Sequence, residues 1–439
     1  MTTFTNPTPI DNVPEGWRVM AVDSLCINVT SGGTPLRSNP NFYQNGTIKW
    51  IKTKELNDYY VDDSEEKITE EALEKSSAKL FPPNTVLMAM YGDGKTITSL
   101  GILRTEAATN QACCALIADP EICHYLYLFY ALKYHRSDFI QLATGGAQRN
   151  LSGTLIRNFA LRVPPLPEQR AIARILGSLD DKIEANRRMN ETLEAMARAI
   201  FKSWFVDFDP VRARAEGFAP AGMDAETAAL FPDGFEENEL WEIPNGWKVV
   251  RLSDICSTQY GYTESASDQP IGPHFLRVTD INKQNWIDWE KVPYCRISDK
   301  DFEKYRLRIG DIIVARMADP GKSAIIESNI AAVFASYLVR LKMESLSHSY
   351  YVYGFLKSAK YTDYVEGAKS GSVQANMNAK IITDIDLVLP DQDVLNAFLE
   401  KMLPLRMRLL SNIRESNIIS EIRNNLLLNL ISGEVSVKL

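Results

Sequence analysis

Residues 88–96 read Met-Ala-Met-Tyr-Gly-Asp-Gly-Lys-Thr, a near match to a loop that grips phosphate. A nucleotide-binding loop has the form G-x-x-x-x-G-K-[ST], follows a strand and opens a helix. Gly94, Lys95 and Thr96 supply its last three positions, but Ala89 stands where the first glycine belongs. A second Gly-Lys-Ser lies at Gly321, Lys322 and Ser323. In both places the residues that follow are β-branched and apolar (Ile97-Thr98; Ala324-Ile325-Ile326). That pattern predicts a returning strand, so the turn lacks the ring of backbone N–H groups that a helix N-terminus offers to phosphates. Nucleotide hydrolysis is therefore not expected. Lysine is a strong point charge for a nucleic-acid backbone, and a neighbouring Ser or Thr adds a hydrogen bond. Lys95 with Thr96 and Lys322 with Ser323 are suited to that anion. A lysine that only tips a solvated turn is the alternative for either one alone, and the recurrence favours a function.

Other chemistries find little support. The six cysteines show no C-x-x-C spacing and the four histidines no H-x-x-x-H pair, so neither a metal centre nor a disulfide framework is expected. The thiols read as buried groups in a reducing cytosol. No apolar run is long enough to span a bilayer and no signal peptide opens the chain, which predicts a cytoplasmic protein. The net charge of −8 is concentrated in residues 206–242, where ten acidic residues face two basic ones. The remainder is close to neutral, and a low overall charge excludes no local basic face.

The elements that position these residues occur twice. VPEGWRVMAVDSLC (13–26) returns as IPNGWKVVRLSDIC (243–256), TVLMAM (85–90) as DIIVAR (311–316), and residues 145–169 as 370–394. Three matched blocks in the same order mark a duplicated domain. Each copy mixes short β-rich runs with an aromatic helical stretch (124–134; 349–361) whose rings read as core. A helical stretch follows each copy. In the first, Ile172, Leu176, Leu179, Ile183, Leu193, Ala197, Ile200 and Trp204 form a coiled-coil seam interrupted by Asn186 and Asn190. The second runs through Val394, Phe398, Met402, Leu405, Leu409, Ile419, Leu426 and Leu430, with Asn412 and Ser416 as polar seam positions. A 37-residue helix is about 55 Å long and needs a partner. The fold class read from this is α+β: two repeated mixed α/β domains joined by two long helices in an antiparallel coiled coil, pseudo-two-fold symmetric. The divisions are 1–166, first domain; 167–205, central helix; 206–242, acidic linker or docking surface; 243–391, second domain; and 392–439, C-terminal helix.

With these residues in place, the chain resembles the specificity subunit of type I restriction–modification systems along its full length. The likeness rests on Pro167-Glu168-Gln169 opening the first helix and Trp204-Phe205-Val206-Asp207-Phe208 closing it. The ending LLLNLISGEV (426–435) and Gly32-Gly33-Thr34-Pro35 add to it. The second copy departs, with Gly261-Tyr262-Thr263 and Pro390-Asp391-Gln392 in the matching places. The resemblance implies two target recognition domains, each reading half of a bipartite double-stranded DNA sequence, and helices that set the gap. It further implies docking of two DNA adenine methyltransferase subunits and, through them, restriction/translocase subunits. S-adenosylmethionine, ATP and Mg belong to those partners. The chain itself is expected to hold no cofactor or metal and to be non-catalytic, which agrees with its lack of N-P-P-Y, D-P-P-Y or a complete nucleotide loop. The competing reading is a coiled-coil scaffold with repeated protein- or peptide-binding domains.

Base edges are read best by Arg, Lys, Asn and Gln. The expected DNA-binding residues of the first copy are Gly33, Thr34, Tyr43, Lys52, Tyr91, Lys95, Thr96, Gln148, Arg149 and Asn150. Those of the second are Tyr262, Arg277, Arg316, Lys322, Ser323, Lys369, Ser372, Gln374 and Asn376. Gln148/Gln374 and Asn150/Asn376 match across copies that should read different sequences, so backbone positioning or helix capping suits them better than base readout. Choice of sequence is expected where the copies differ. The acidic run 57–75 reads as a solvated helix face.

Overall fold

The structure is a computed structural model that describes residues 4–7, 10, 12–92, 96–144, 149–237, 242–282, 285–370 and 376–437. The chain forms two compact units, residues 1–185 with 415–439, and residues 186–414.

The first unit is built on a five-stranded sheet in the order Cys26–Ser31, Cys113–Ala118, Val86–Ala89, Leu100–Leu103, Tyr59–Val61. Val86–Ala89 is buried at all four positions, which is why it reads as an unbroken apolar run and not as an alternating one. A smaller sheet orders Lys67–Ile68, Ile48–Ile51, Ala107–Thr109 and Leu80–Phe81. The helix Tyr125–Tyr134 lies in the core, with Tyr127, Phe129 and Tyr130 fully buried. Buried phenols need acceptors. Tyr127 donates to the Arg162 carbonyl at 2.6 Å and Tyr130 to Asp180 Oδ2 at 2.7 Å. The start of the first long helix, Leu166–Phe205, packs here through Ile172 and Leu176, and the end of the second, Gln392–Ser432, through Leu427, Leu430 and Ile431. Gln169 is buried and pins the helix start. Its amide donates to the carbonyls of Ile122 (3.0 Å) and Pro164 (2.9 Å), and its oxygen accepts from the His124 N–H (2.9 Å).

The second unit repeats the plan. Its antiparallel sheet orders Cys256–Tyr260, Leu338–Met343, Ile312–Ala315 and Ser323–Ile325. The aromatic helix Leu346–Leu356 lies beneath, and Tyr351 donates to the Val388 carbonyl as Tyr127 does to Arg162. The turns that enter the matched strands also correspond. Asn84 has φ 66° and Gly310 φ 91°, a left-handed conformation open to asparagine and glycine.

Of the polar seam positions, Asn186, Asn190 and Asn412 are buried, while Ser416 is only half-buried. Asn412 donates to Asn190 Oδ1 at 2.8 Å, and Asn186 donates to the Asn412 carbonyl at 3.4 Å. Asn186 and Asn412 are 226 residues apart, the interval of the repeat, so equivalent residues of the two copies meet. One further charged cluster lies in this unit. Arg406, 4% exposed, sits between Glu194 and Glu327, with Nε 2.8 Å from Glu327 Oε1.

Two expectations change. Residues 206–237 are no plain linker: Asp209–Ala215 and Ala225–Ala229 are helices, and Val211 and Phe231 are buried in the core of the second unit. Asp224 caps the second of these helices, while a few of the apolar side chains carry the packing. The run 57–75 is not a helix face. It forms the strands Tyr59–Val61 and Lys67–Ile68, and only Glu70–Glu74 is helical, capped by Thr69. Three buried residues, Val61, Ile68 and Ala72, decide its path.

Candidate nucleic-acid interface

In the first unit the strand Val86–Ala89 leads into the short strand Tyr91–Gly92, which pairs antiparallel with Arg149–Asn150 (Arg149 opposite Gly92, Asn150 opposite Tyr91). The Leu151 N–H donates to the Met90 carbonyl at 2.9 Å and anchors the pair to the sheet. Tyr91, Arg149 and Asn150 are exposed together on this projection, beside Thr96. A rigid sheet thus presents an aromatic face, a guanidinium and an amide, the side-chain types that stack on bases and read their edges.

The second unit holds the corresponding contact. The Met377 N–H donates to the Arg316 carbonyl at 2.9 Å, and Arg316 Nη2 lies 3.4 Å from Asn376 Oδ1. The Arg316 guanidinium stands 5.0 Å from the Tyr260 ring centre, and the Tyr260 hydroxyl accepts from the Ala379 N–H at 3.0 Å. Tyr260 escaped the sequence reading because a tyrosine in a strand looks like any other, yet it orients the arginine. The antiparallel pairing of Ile312–Ala315 with Ser323–Ile325 confirms the strand–turn–strand around Lys322, which is exposed on the turn. Gly321 has φ 88°, and a Cβ there would lie 2.8 Å from Val365 Cγ2, so the turn is fixed closely against the helix Ala359–Ser370. Lys369 is on that helix, 3.0 Å from Glu366.

The caps are neither Asn150 nor Asn376. Ser152 accepts from the Leu155 N–H at the start of Gly153–Arg157, and Asn378 accepts from the Ile381 N–H at the start of Ala379–Thr383. The two asparagines named from the sequence stand just before those caps and remain exposed.

Four expected contacts are placed otherwise. Gly33 is buried. Its N–H donates to the Thr109 carbonyl (2.9 Å), its carbonyl accepts from the Trp50 indole (3.0 Å), and a Cβ would strike the Ser77 carbonyl, so its smallness serves chain packing. Ser323 is fully buried in its strand and cannot reach a phosphate. Lys52 is mostly covered and already paired with Glu66 at 2.9 Å, and Arg277 lies on Asp280 with Nη2 at 3.0 Å. Thr34, Tyr43, Tyr262 and Lys369 are half-exposed. Thr34 donates to Gln111. Tyr43 donates to the Pro35 carbonyl at 2.6 Å and, with Trp50, faces Arg37, whose guanidinium stands 4.8 and 4.7 Å from the two rings. Arg37, half-exposed, was not singled out in the sequence because nothing in its own neighbourhood repeats. Tyr262 packs on Tyr305, ring centres 5.3 Å apart. Lys95, Gln148, Ser372 and Gln374 lie outside the described residues.

Among the described residues no His, Cys, Asp or Glu cluster could hold a metal, and no helix is long and apolar enough to cross a membrane. The cysteines are unpaired, and burial pushes the Cys114 and Cys123 thiols up to about 12, which leaves them inert.

Residues 14–195 match the type I restriction modification DNA specificity domain. The chain is 26% identical to the specificity subunit of the type I restriction enzyme MjaIX of Methanocaldococcus jannaschii, over 98% of this chain and 96% of that one. The chain is thus similar to a type I specificity subunit along almost its whole length. The HindI specificity subunit of Haemophilus influenzae is 27% identical over 64% of this chain and 70% of its own. The S subunit of the type I restriction–modification system of M. genitalium has the same fold, with a TM-score of 0.57 at 15% identity over 98% of this chain and 99% of that one. The MjaIX and M. genitalium likenesses run through both copies and both long helices, so the fold is shared along nearly the whole chain.

Proposed function

We propose that the chain reads a bipartite double-stranded DNA target, one half with each unit, while the two long helices fix the unread gap and dock methyltransferase subunits. One observation carries this reading: residues 14–195 match a DNA specificity domain, the second copy repeats its plan, and each copy presents polar side chains just past the matched strand, Tyr91 with Arg149 and Asn150 in the first and Arg316 with Asn376 in the second. Tyr91, Arg149 and Asn150 in the first unit, and Arg316 and Asn376 in the second, are the proposed base and backbone contacts. Lys322 is a phosphate contact, and Lys95 is proposed as its counterpart. The chain performs no chemistry of its own in this reading. Adenine methylation from S-adenosylmethionine, and ATP- and Mg-dependent cleavage, fall to two modification subunits and to restriction subunits in the cytoplasm. A protein-binding scaffold would not need a DNA specificity domain, and nothing in the geometry favours it.

The experiment is co-expression with the cognate methyltransferase, followed by methylation-aware sequencing of the host genome. A single motif of two short halves separated by a constant gap is expected. Absence of adenine methylation at any bipartite motif, with the complex assembled, overturns the reading.

A further inference from the structure

Behind the Gly321–Lys322 turn the second unit carries a cavity of about 350 Å³. Four cations from separate stretches of the chain line it: Lys322 on the turn, Lys369 on the helix Ala359–Ser370, Lys357 just past the aromatic helix, and Arg198 on the first long helix. Asp319 and Glu366 are the acids among its lining residues. Glu366 is taken by Lys369 at 3.0 Å. Lys357 donates to the Ser323 carbonyl at 2.7 Å and lies 3.4 Å from Asn285 Oδ1, which are neutral acceptors. Arg198 reaches Glu194 only at 3.8 Å, and Glu194 is committed to Arg406. The cavity therefore gathers more positive charge than its own walls answer. Burial holds the Lys357 ammonium down to about 8; Glu194 opposes this, while Lys322, Arg406 and Arg198 add repulsion. Like charges crowded at the edge of a polar cavity are the arrangement that an incoming anion relieves.

We infer that this cavity is a phosphodiester subsite: a DNA backbone phosphate enters between Lys322 and Arg198, above Lys357, with Lys369 at the rim. The inference rests on the DNA reading proposed above and adds to it. The first long helix then contributes a cation to DNA directly, through Arg198, beyond setting a distance. The turn lysine and the helix arginine hold one phosphate from two sides, which ties the recognition domain to the spacer helix at the moment of binding.

The test uses the full chain assembled with its methyltransferase, on a duplex carrying the methylated motif and on one without it, over a range of KCl. Arg198→Ala and Lys322→Ala should each weaken binding to both duplexes several-fold and make the plot of log K against log [salt] shallower by about 0.9. The methylated motif should not change, and Arg198→Lys should recover most of the slope. Wild-type affinity and slope in an assembled Arg198→Ala complex overturn the subsite while leaving the DNA reading intact. A changed motif overturns it too, because it makes Arg198 a base reader. Inorganic phosphate, added at constant ionic strength, forms the second arm. Phosphate binding that is lost in Arg198→Ala while DNA affinity stays unchanged would assign the cavity to a free anion and also overturn the proposal. If the wild-type complex shows no preference for any duplex, the DNA reading itself fails.

Discussion

Arg406 shows how much one residue carries in this chain. It lies buried between Glu194 and Glu327, and all three are desolvated. Removing one partner of such a cluster leaves charge uncompensated, at a cost of about 3–5 kcal/mol. Arg406→Met should therefore lower the urea midpoint of the second unit sharply. Arg406→Met with Glu194→Leu and Glu327→Leu should recover most of the loss, since the cluster itself need not be a net gain. Gly321 is a second such position. Its φ of 88° and the nearness of Val365 predict that Gly321→Ala costs roughly 1 kcal/mol or more, read as a fall in Tm. The residues that the sequence singles out are those with a repeated partner, such as Lys322 and Asn376, and the structure exposes both. Those hidden were the ones whose meaning comes from a distant neighbour. Lys357 sits in what reads as an aromatic core helix, and only the fold puts Ser323, Lys322 and Arg198 around it.

The long helices were the most legible elements, because a heptad seam is a local pattern with a single physical use. Observed ends at Leu166–Phe205 and Gln392–Ser432 follow that seam. What periodicity does not give is how the polar breaks pair. Asn186, Asn190 and Asn412 hydrogen-bond to one another, at the expense of apolar contact. Polar seam residues fix register at a cost in stability. Asn190→Leu with Asn412→Leu should raise Tm, and the assembled complex should then methylate motifs with more than one gap length. An unchanged single gap would show that register is held elsewhere. The short elements were harder to read. In 57–75 and 206–237 acidic residues dominate the charge, yet a few buried apolar side chains set the conformation.

Across the molecule, three of the four histidines share one bias. Burial lowers the pKa of His124, with Arg170 adding to it, and of His135, against the pull of Asp138; it also lowers that of His348, against Glu344. A folded-state pKa below the unfolded value of 6.5 means that the unfolded chain binds the proton more readily. Stability is then full above about pH 6.5 and falls as pH drops through and below that value. Glu194 and Asp311, whose carboxyls burial pushes up, act in the opposite sense. The histidine share is thus best isolated by difference: His135→Gln should flatten the fall in Tm between pH 7.5 and 5.5, as followed by calorimetry. An equal slope in the variant would remove His135 from the account.

The seam of the long helices also bears on heredity. Asp180 and Arg406 stand one repeat interval apart, at the same place in the two copies, and carry opposite charge. In the first unit Asp180 accepts from Arg423, and in the second Arg406 donates to Glu194. Two second copies paired with each other would set Arg423 against Arg406, arginine on arginine. The halves of this gene have therefore ceased to be interchangeable. Under the proposed DNA reading, recombination that exchanges recognition segments upstream of each helix leaves the charges matched and would give the lineage a new specificity. A crossover that carries one helix into the place of the other breaks the match, so selection should confine exchange to boundaries just before Leu166 and Gln392.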